Sequence, residues 1–152
     1  MTELKLRLAS AEDLPHILNL QVQVFTGEQC IPEEMVRAVQ NKIPTWYCAE
    51  LNGIPAGTVA VWQEGSETHW GRFAVQPDLR GCGIGKALAR YSLEQSFSRG
   101  IDRICMEARE ATVHIICKMG GRITGEAVPF FVGTVTPVEI SAADFAKRSK
   151  QV

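Results

Sequence analysis

Polar and apolar positions change period several times along this chain, and each change marks the edge of an element. Leu4, Leu6 and Leu8 alternate with charged neighbours, the two-residue period of a half-buried strand. Ser10 then offers an N-cap with Glu12 and Asp13 in the first turn, and Leu14, Ile17, Leu18 and Phe25 recur at helical spacing, so a strand runs into a helix. Pro32 suits the first turn of a second, short helix. Thr45 to Leu51 and Ile54 to Gln63 flank Asn52-Gly53, a pair that accepts the positive φ angles of a type I′ turn and so predicts a hairpin. Trp70 to Val75 reads as a further strand. A glycine-rich turn follows it, then a helix with Ile84, Ala87, Leu88 and Tyr91 on one face and Gly100 at its C-terminal end. Ile104 to Ala108 predicts a strand, Ala111 to Met119 a helix stopped by Gly120-Gly121, and Ile123 to Val128 and Val135 to Ile140 the closing strands. Strands and helices interleave, which predicts an α/β or α+β fold. No repeat or linker divides the chain, so residues 1–152 are read as one domain. The polar tail from about residue 141 is expected to be frayed or a short surface helix.

Composition narrows the classes of partner. With 152 residues and 45% apolar content the chain can bury one sizeable core. A net charge of -1, without a run of like charges, disfavours nucleic acid and anionic membranes as partners. No stretch resembles a signal peptide or reaches the roughly 18 apolar residues of a membrane span, so a cytoplasmic protein is expected. Cys30, Cys48, Cys82, Cys105 and Cys117 are odd in number and form no C-x-x-C pair; reduced, mostly buried thiols are expected. His16, His69 and His114 are dispersed, and no metal is expected.

The chemistry concentrates in one turn. From Val75 through Pro77 to Arg80-Gly81-Cys82-Gly83-Ile84-Gly85-Lys86, a strand stops, the chain turns through glycines, and a helix starts. Glycines let backbone N–H groups approach a pyrophosphate, the helix N-terminus adds partial positive charge, and Arg80 and Lys86 can add full charges. Other phosphate loops fit less well. A Walker loop ending in Gly85-Lys86 requires glycine at Arg80 and Ser or Thr at Ala87, and the dinucleotide fingerprint starting at Gly81 requires Gly or Ala at Lys86.

In these residues the chain resembles the GNAT superfamily of N-acetyltransferases, whose motif is Arg or Gln, two residues, Gly, one residue, then Gly or Ala. Arg80, Gly83 and Gly85 match it, and Phe73-Ala74-Val75 with Pro77 match the strand and proline before it. Val24-Phe25, Glu28-Gln29, Pro32-Glu33-Glu34, Gly71-Arg72, Ala108-Arg109-Glu110, Lys118-Met119-Gly120 and Gly125-Glu126 resemble the bacterial ElaA-like or YjcF-like branch, from about Leu4 to Ile140. The resemblance implies a mixed, mostly antiparallel sheet flanked by helices and splayed between Trp70 to Val75 and Ile104 to Ala108. It also implies acetyl-CoA as cosubstrate, its pantetheine paired with the backbone of Phe73 and Val75 and its pyrophosphate on Arg80 to Lys86. An amine, on a small molecule or a protein, would attack the thioester directly. A homodimer is left open as the assembly.

Two positions depart from the family pattern. Where members usually carry a tyrosine that protonates the departing sulfur this chain has Ile116, and the phenylalanine five residues on is Gly121. Thr112 and Arg109 share a helical face with Ile116 and are candidates to contact the thioester. The acceptor side is expected from Phe25 to Met35, with Glu28, Gln29, Arg72 and Glu107 as candidates and Glu28 as the catalytic carboxylate. The alternative to an enzyme is an acetyl-CoA-binding sensor or regulatory protein.

Overall fold

The computed structural model describes residues 3–150. Its strands are β1 (Leu4–Leu8), β2 (Thr45–Leu51), β3 (Ile54–Glu64), β4 (Glu67–Val75), β5 (Arg103–Ala108), β6 (Arg122–Ile123), β7 (Val128–Pro129) and β8 (Thr134–Ser141). The α-helices are α1 (Leu14–Gln21), α2 (Glu33–Arg37), α3 (Ile84–Ser98), α4 (Glu110–Lys118) and α5 (Ala142–Ser149). One mixed sheet runs in the order β1-β2-β3-β4-β5-β8-β6, with β7 paired to β8. Neighbours are antiparallel except β4 and β5, which are parallel.

Strand periodicity assigns the two faces. Tyr47, Ala49, Val59 and Val61 pack with Leu88 and Leu93 of α3, Ile116 of α4 and Phe145 of α5. Trp46 and Ala60 face the other way, onto Ile17 of α1. The β2–β3 turn is as the sequence predicts, with positive φ at Asn52 and Gly53.

Strand β4 carries a bulge that the hydrophobic pattern does not announce. Ala60 pairs with Gly71 and Thr58 with Ala74, so Val59 faces both Arg72 and Phe73. Arg72 adopts φ 58° there, and the extra residue turns Ala74 to the sheet face opposite Trp70. Buried Gln21 holds the distortion: its Nε2 donates to the Arg72 carbonyl at 2.7 Å and to Thr58 Oγ1 at 2.9 Å.

Several sequence expectations are corrected. Helix α1 does not continue regularly to Phe25 but passes into a π-helical turn over Val22–Thr26. Strand β4 starts three residues before Trp70, because its first turn with β3 is built from exposed polar residues. The strand expected over Ile123 to Val128 is divided into β6 and β7. Opposite the break lies Pro137 of β8, which lacks an N–H and whose Cγ is 2.9 Å from where a Cβ on Gly125 would sit. Of the two expectations for the tail, the short helix is the one that forms: α5 docks through Phe145, whose ring is 5.3 Å from that of Phe97. Of the five free cysteines Cys48 is buried, whereas Cys30 and Cys82 are exposed.

Candidate functional site

Parallel β4 and β5 meet at one ladder pair, His69 with Cys105. Beyond it β4 follows β3 and β5 follows β8, so the strands diverge and leave a V-shaped gap. The gap opens into a cleft of about 330 Å³. Phe25, Gln29, Ile31 and Met35 wall one side, Trp62 and His69 to Phe73 another, and Met106 to Arg109, Thr112, Phe130 and Val135 the third. Residues of the segment from Phe25 to Met35 thus line the cleft, and of the three tryptophans Trp62 and Trp70 reach it while Trp46 bonds Gln40 in the core.

At the end of β4 the glycine turn has the expected geometry. Gly81 and Gly83 sit at φ 85° and 84°, and a Cβ on either would meet only open space. Gly83 caps α3, so the first-turn amides of Ile84, Gly85 and Lys86 have no partner within the helix. Gly85 serves packing instead. A Cβ there would come within 3.2 Å of Phe73 and 3.4 Å of Val75, and its absence lets the helix start lie against β4.

Arg80 does not point its charge freely at the turn. Its guanidinium grips Glu28 through two bonds of 2.7 and 2.9 Å, and its Nε donates to the Val75 carbonyl at 3.1 Å. This corrects the expectation for Glu28. The carboxylate is absent from the cleft wall and ties the end of the π-helical turn to the glycine turn. Arg72 is likewise structural, donating to the carbonyls of Met35 and Val36 at 3.0 and 2.9 Å and so finishing α2.

Arg109 lines the cleft but is anchored to the β7–β8 turn. Its Nη1 donates to the carbonyl of Phe130 at 3.0 Å and also to that of Val132, and its guanidinium lies 5.4 Å from the Phe130 ring centroid. Burial lowers the pKa of both Arg72 and Arg109 by removing hydration, yet both remain cationic. Two buried polar atoms on the cleft residues, Gln29 Oε1 and Arg109 Nη2, have no hydrogen-bond partner among the described residues.

Thr112 faces the cleft from α4, but Ile116, one turn on, does not. It is fully buried in the core with Met119 and Val138. The two departures from the family pattern are coupled, because a Cβ on Gly121 would lie 2.6 Å from Ile116 Cγ2. Of the acceptor-side candidates Gln29, Arg72 and Glu107 line the cleft, whereas sequence spacing alone missed the bulge, the clamp on Phe130 and the placing of His69 on the cleft; alternation along β4 carries that last signal, though it does not say which face is open.

Comparison with known proteins agrees with this geometry. The family model for the acetyltransferase (GNAT) family matches residues 14–120. The Escherichia coli peptidyl-lysine N-acetyltransferase YjaB is 27% identical over 95 residues, which is 62% of this chain and 60% of YjaB. Among solved structures, Escherichia coli ElaA superposes with a TM-score of 0.77 at 17% identity, over 93% of this chain and 100% of that one. FeeM, an N-acyl amino acid synthase from uncultured soil microbes, gives 0.79 at 10% identity over 97% and 96%. At such identities the solved structures show a shared fold, and it is the family model, matching well over half the chain, that decides membership: the protein belongs to the acetyltransferase (GNAT) family.

Proposed function

We propose that this protein is an acetyl-CoA-dependent N-acetyltransferase whose acceptor enters the cleft between the segment Phe25 to Met35 and the parting strands β4 and β5. The observation that carries the reading is the juxtaposition of the glycine turn, with its unpaired helix-start amides, and the V-shaped gap on the same strand. The pyrophosphate is assigned to the backbone of Gly81 to Lys86. The pantetheine is assigned to the free edge of β4 near Phe73 and Val75, as a short extra strand.

On this reading the acceptor amine approaches the thioester from the cleft, attacks its carbonyl carbon, and passes through a tetrahedral intermediate that expels the coenzyme thiolate. Glu107, the carboxylate on the cleft wall, replaces Glu28 as the group that takes the amine proton, directly or through water. Thr112 offers a hydroxyl from the first turn of α4. A thiol's ordinary pKa near 8.5 makes the thiolate a tolerable leaving group without a tyrosine acid. The apolar walls select an amine carried on an apolar or aromatic body over a strongly hydrated one.

The second reading, a sensor that binds acetyl-CoA without chemistry, draws on the buried, apolar Ile116. One pair of measurements separates the two. Acetyl-CoA should raise the melting temperature in proportion to the logarithm of its concentration, and purified protein should acetylate at least one member of an amine panel. Gly83→Val meets no neighbouring atom but strains the backbone at φ 84° by roughly 1 to 2 kcal/mol, so the variant should melt somewhat lower yet remain folded while binding and transfer are both lost. Absence of a thermal shift and of binding heat at millimolar acetyl-CoA rejects both readings; binding without transfer leaves the sensor.

A further inference from the structure

Beside the parting of β4 and β5, away from the glycine turn, three side chains of different donor chemistry converge. His69 and Cys105 are partners in the one ladder pair that joins the strands, and Glu67 lies two residues before His69, on the same strand face. One donor atom from each lies within 4.8 Å of the other two. His69 Nε2 is 3.8 Å from Cys105 Sγ and 3.6 Å from Glu67 Oε1. A zinc ion bound tetrahedrally through sulfur, nitrogen and oxygen holds such donors about 3.3 to 3.6 Å apart. Only a small side-chain adjustment is needed to close the arrangement.

We propose that Glu67, His69 and Cys105 form a binding site for a thiophilic divalent cation of the zinc class at the edge of the acceptor cleft. Paired strands fix the two backbone positions, and the imidazole is further held by stacking on Trp62, with ring centroids 5.8 Å apart and planes 10° from parallel. His69 also lines the cleft, so the site adjoins it, and three protein donors leave a fourth position of a tetrahedral ion to water. A second carboxylate, Glu64, brings Oε2 to 3.5 Å from His69 Nε2 while its Oε1 is held by Lys42 and Trp62, so it orients the imidazole from outside the ligand set. A bound dication would stabilise the Cys105 thiolate as its ligand, with the Glu67 carboxylate supplying the opposite charge beside it. Without a cation the thiol has a weaker partner, the Thr68 carbonyl at 3.5 Å. The dispersal of His16, His69 and His114 gave no sign of this site because the neighbours of His69 in it are Glu67 and Cys105 and no second histidine.

The test is a cobalt(II) titration of the chelator-treated 152-residue chain. One equivalent should bind with a thiolate-to-cobalt charge-transfer band in the near ultraviolet, and added zinc should bleach it. The band should persist in the Cys30→Ser/Cys82→Ser variant, which removes the exposed thiols, and vanish in Cys105→Ser. Glu67→Gln alters an exposed side chain and should weaken cobalt binding at least tenfold while melting like the parent protein. The proposal is overturned if no band appears, if a band survives Cys105→Ser, or if Glu67→Gln binds cobalt with unchanged affinity.

Discussion

Placing at position 116 the tyrosine that the family motif would predict, by Ile116→Tyr, should damage this protein rather than improve it. Ile116 is 0% exposed, in a core shared with Met119, Val138 and Ile140. Its Cγ2 also occupies the space beside Gly121, where even one added carbon would come to 2.6 Å. A phenol ring at 116 overpacks this site at a cost of about 1 to 3 kcal/mol. Its hydroxyl, if buried without a partner, costs about 1 to 3 kcal/mol more. The middle of that sum, about 4 kcal/mol, corresponds to a fall of roughly 12 °C in melting temperature at about 3 °C per kcal/mol for a chain of this size. Ile116→Val removes one methyl and should cost about 0.5 to 1.5 kcal/mol, which gives a control for the packing contribution. Melting followed by circular dichroism, with acetyl transfer measured well below the transition, reads both effects. An Ile116→Tyr protein that melts within 2 or 3 °C of the parent, on that same roughly 3 °C scale, and turns over faster would refute the reasoning, since side chain 116 would then reach the thioester after all.

Three further outcomes follow from the ion pairs and clamps. Glu28→Gln should leave acetyl transfer within about twofold and cost at most about 1 kcal/mol of stability, because Glu28 and Arg80 are both near 40% exposed and such pairs are worth little; a hundredfold loss of turnover in folded protein would return Glu28 to the chemistry. Arg109→Ala should free the Phe130 turn from its two carbonyl anchors, raising KM for the acceptor more than that for acetyl-CoA, and equal effects on both would contradict the clamp. Asp13, gripped by Arg7 at 2.7 and 2.9 Å and bonded by the Ser10 amide, is held far below the ordinary carboxylate range. Its folded pKa is depressed, so its contribution is full above the unfolded value near 3.9 and fades as pH falls below it. Denaturant melts of the parent and of Asp13→Asn should therefore differ at pH 7 and converge toward pH 2, and a constant difference would exclude the linkage.

The features legible in sequence were the local ones. Asn52-Gly53 dictates its turn through positive φ, and Arg80 to Lys86 dictates a glycine turn into a helix; the structure repeats both, down to φ 84° at Gly83. Alternation and helical spacing likewise located most strands and helices, since one buried face imposes one period. What local pattern could not carry was the choice among partners. Glu28 and Arg80 are 52 positions apart, and no periodicity says that they neutralise each other instead of serving a ligand. Ile116 shares a helical face with Thr112, yet Thr112 reaches the cleft while Ile116, one turn on, packs into the core with Met119 and Val138. The β4 bulge depends on a buried glutamine from α1, and the Glu67–His69–Cys105 cluster on a ladder pair between strands joined through α3. Conformational preference acts between neighbours in sequence and is readable there; burial, ion pairing and ligand geometry act between neighbours in space, and only the folded chain decides which residues those are.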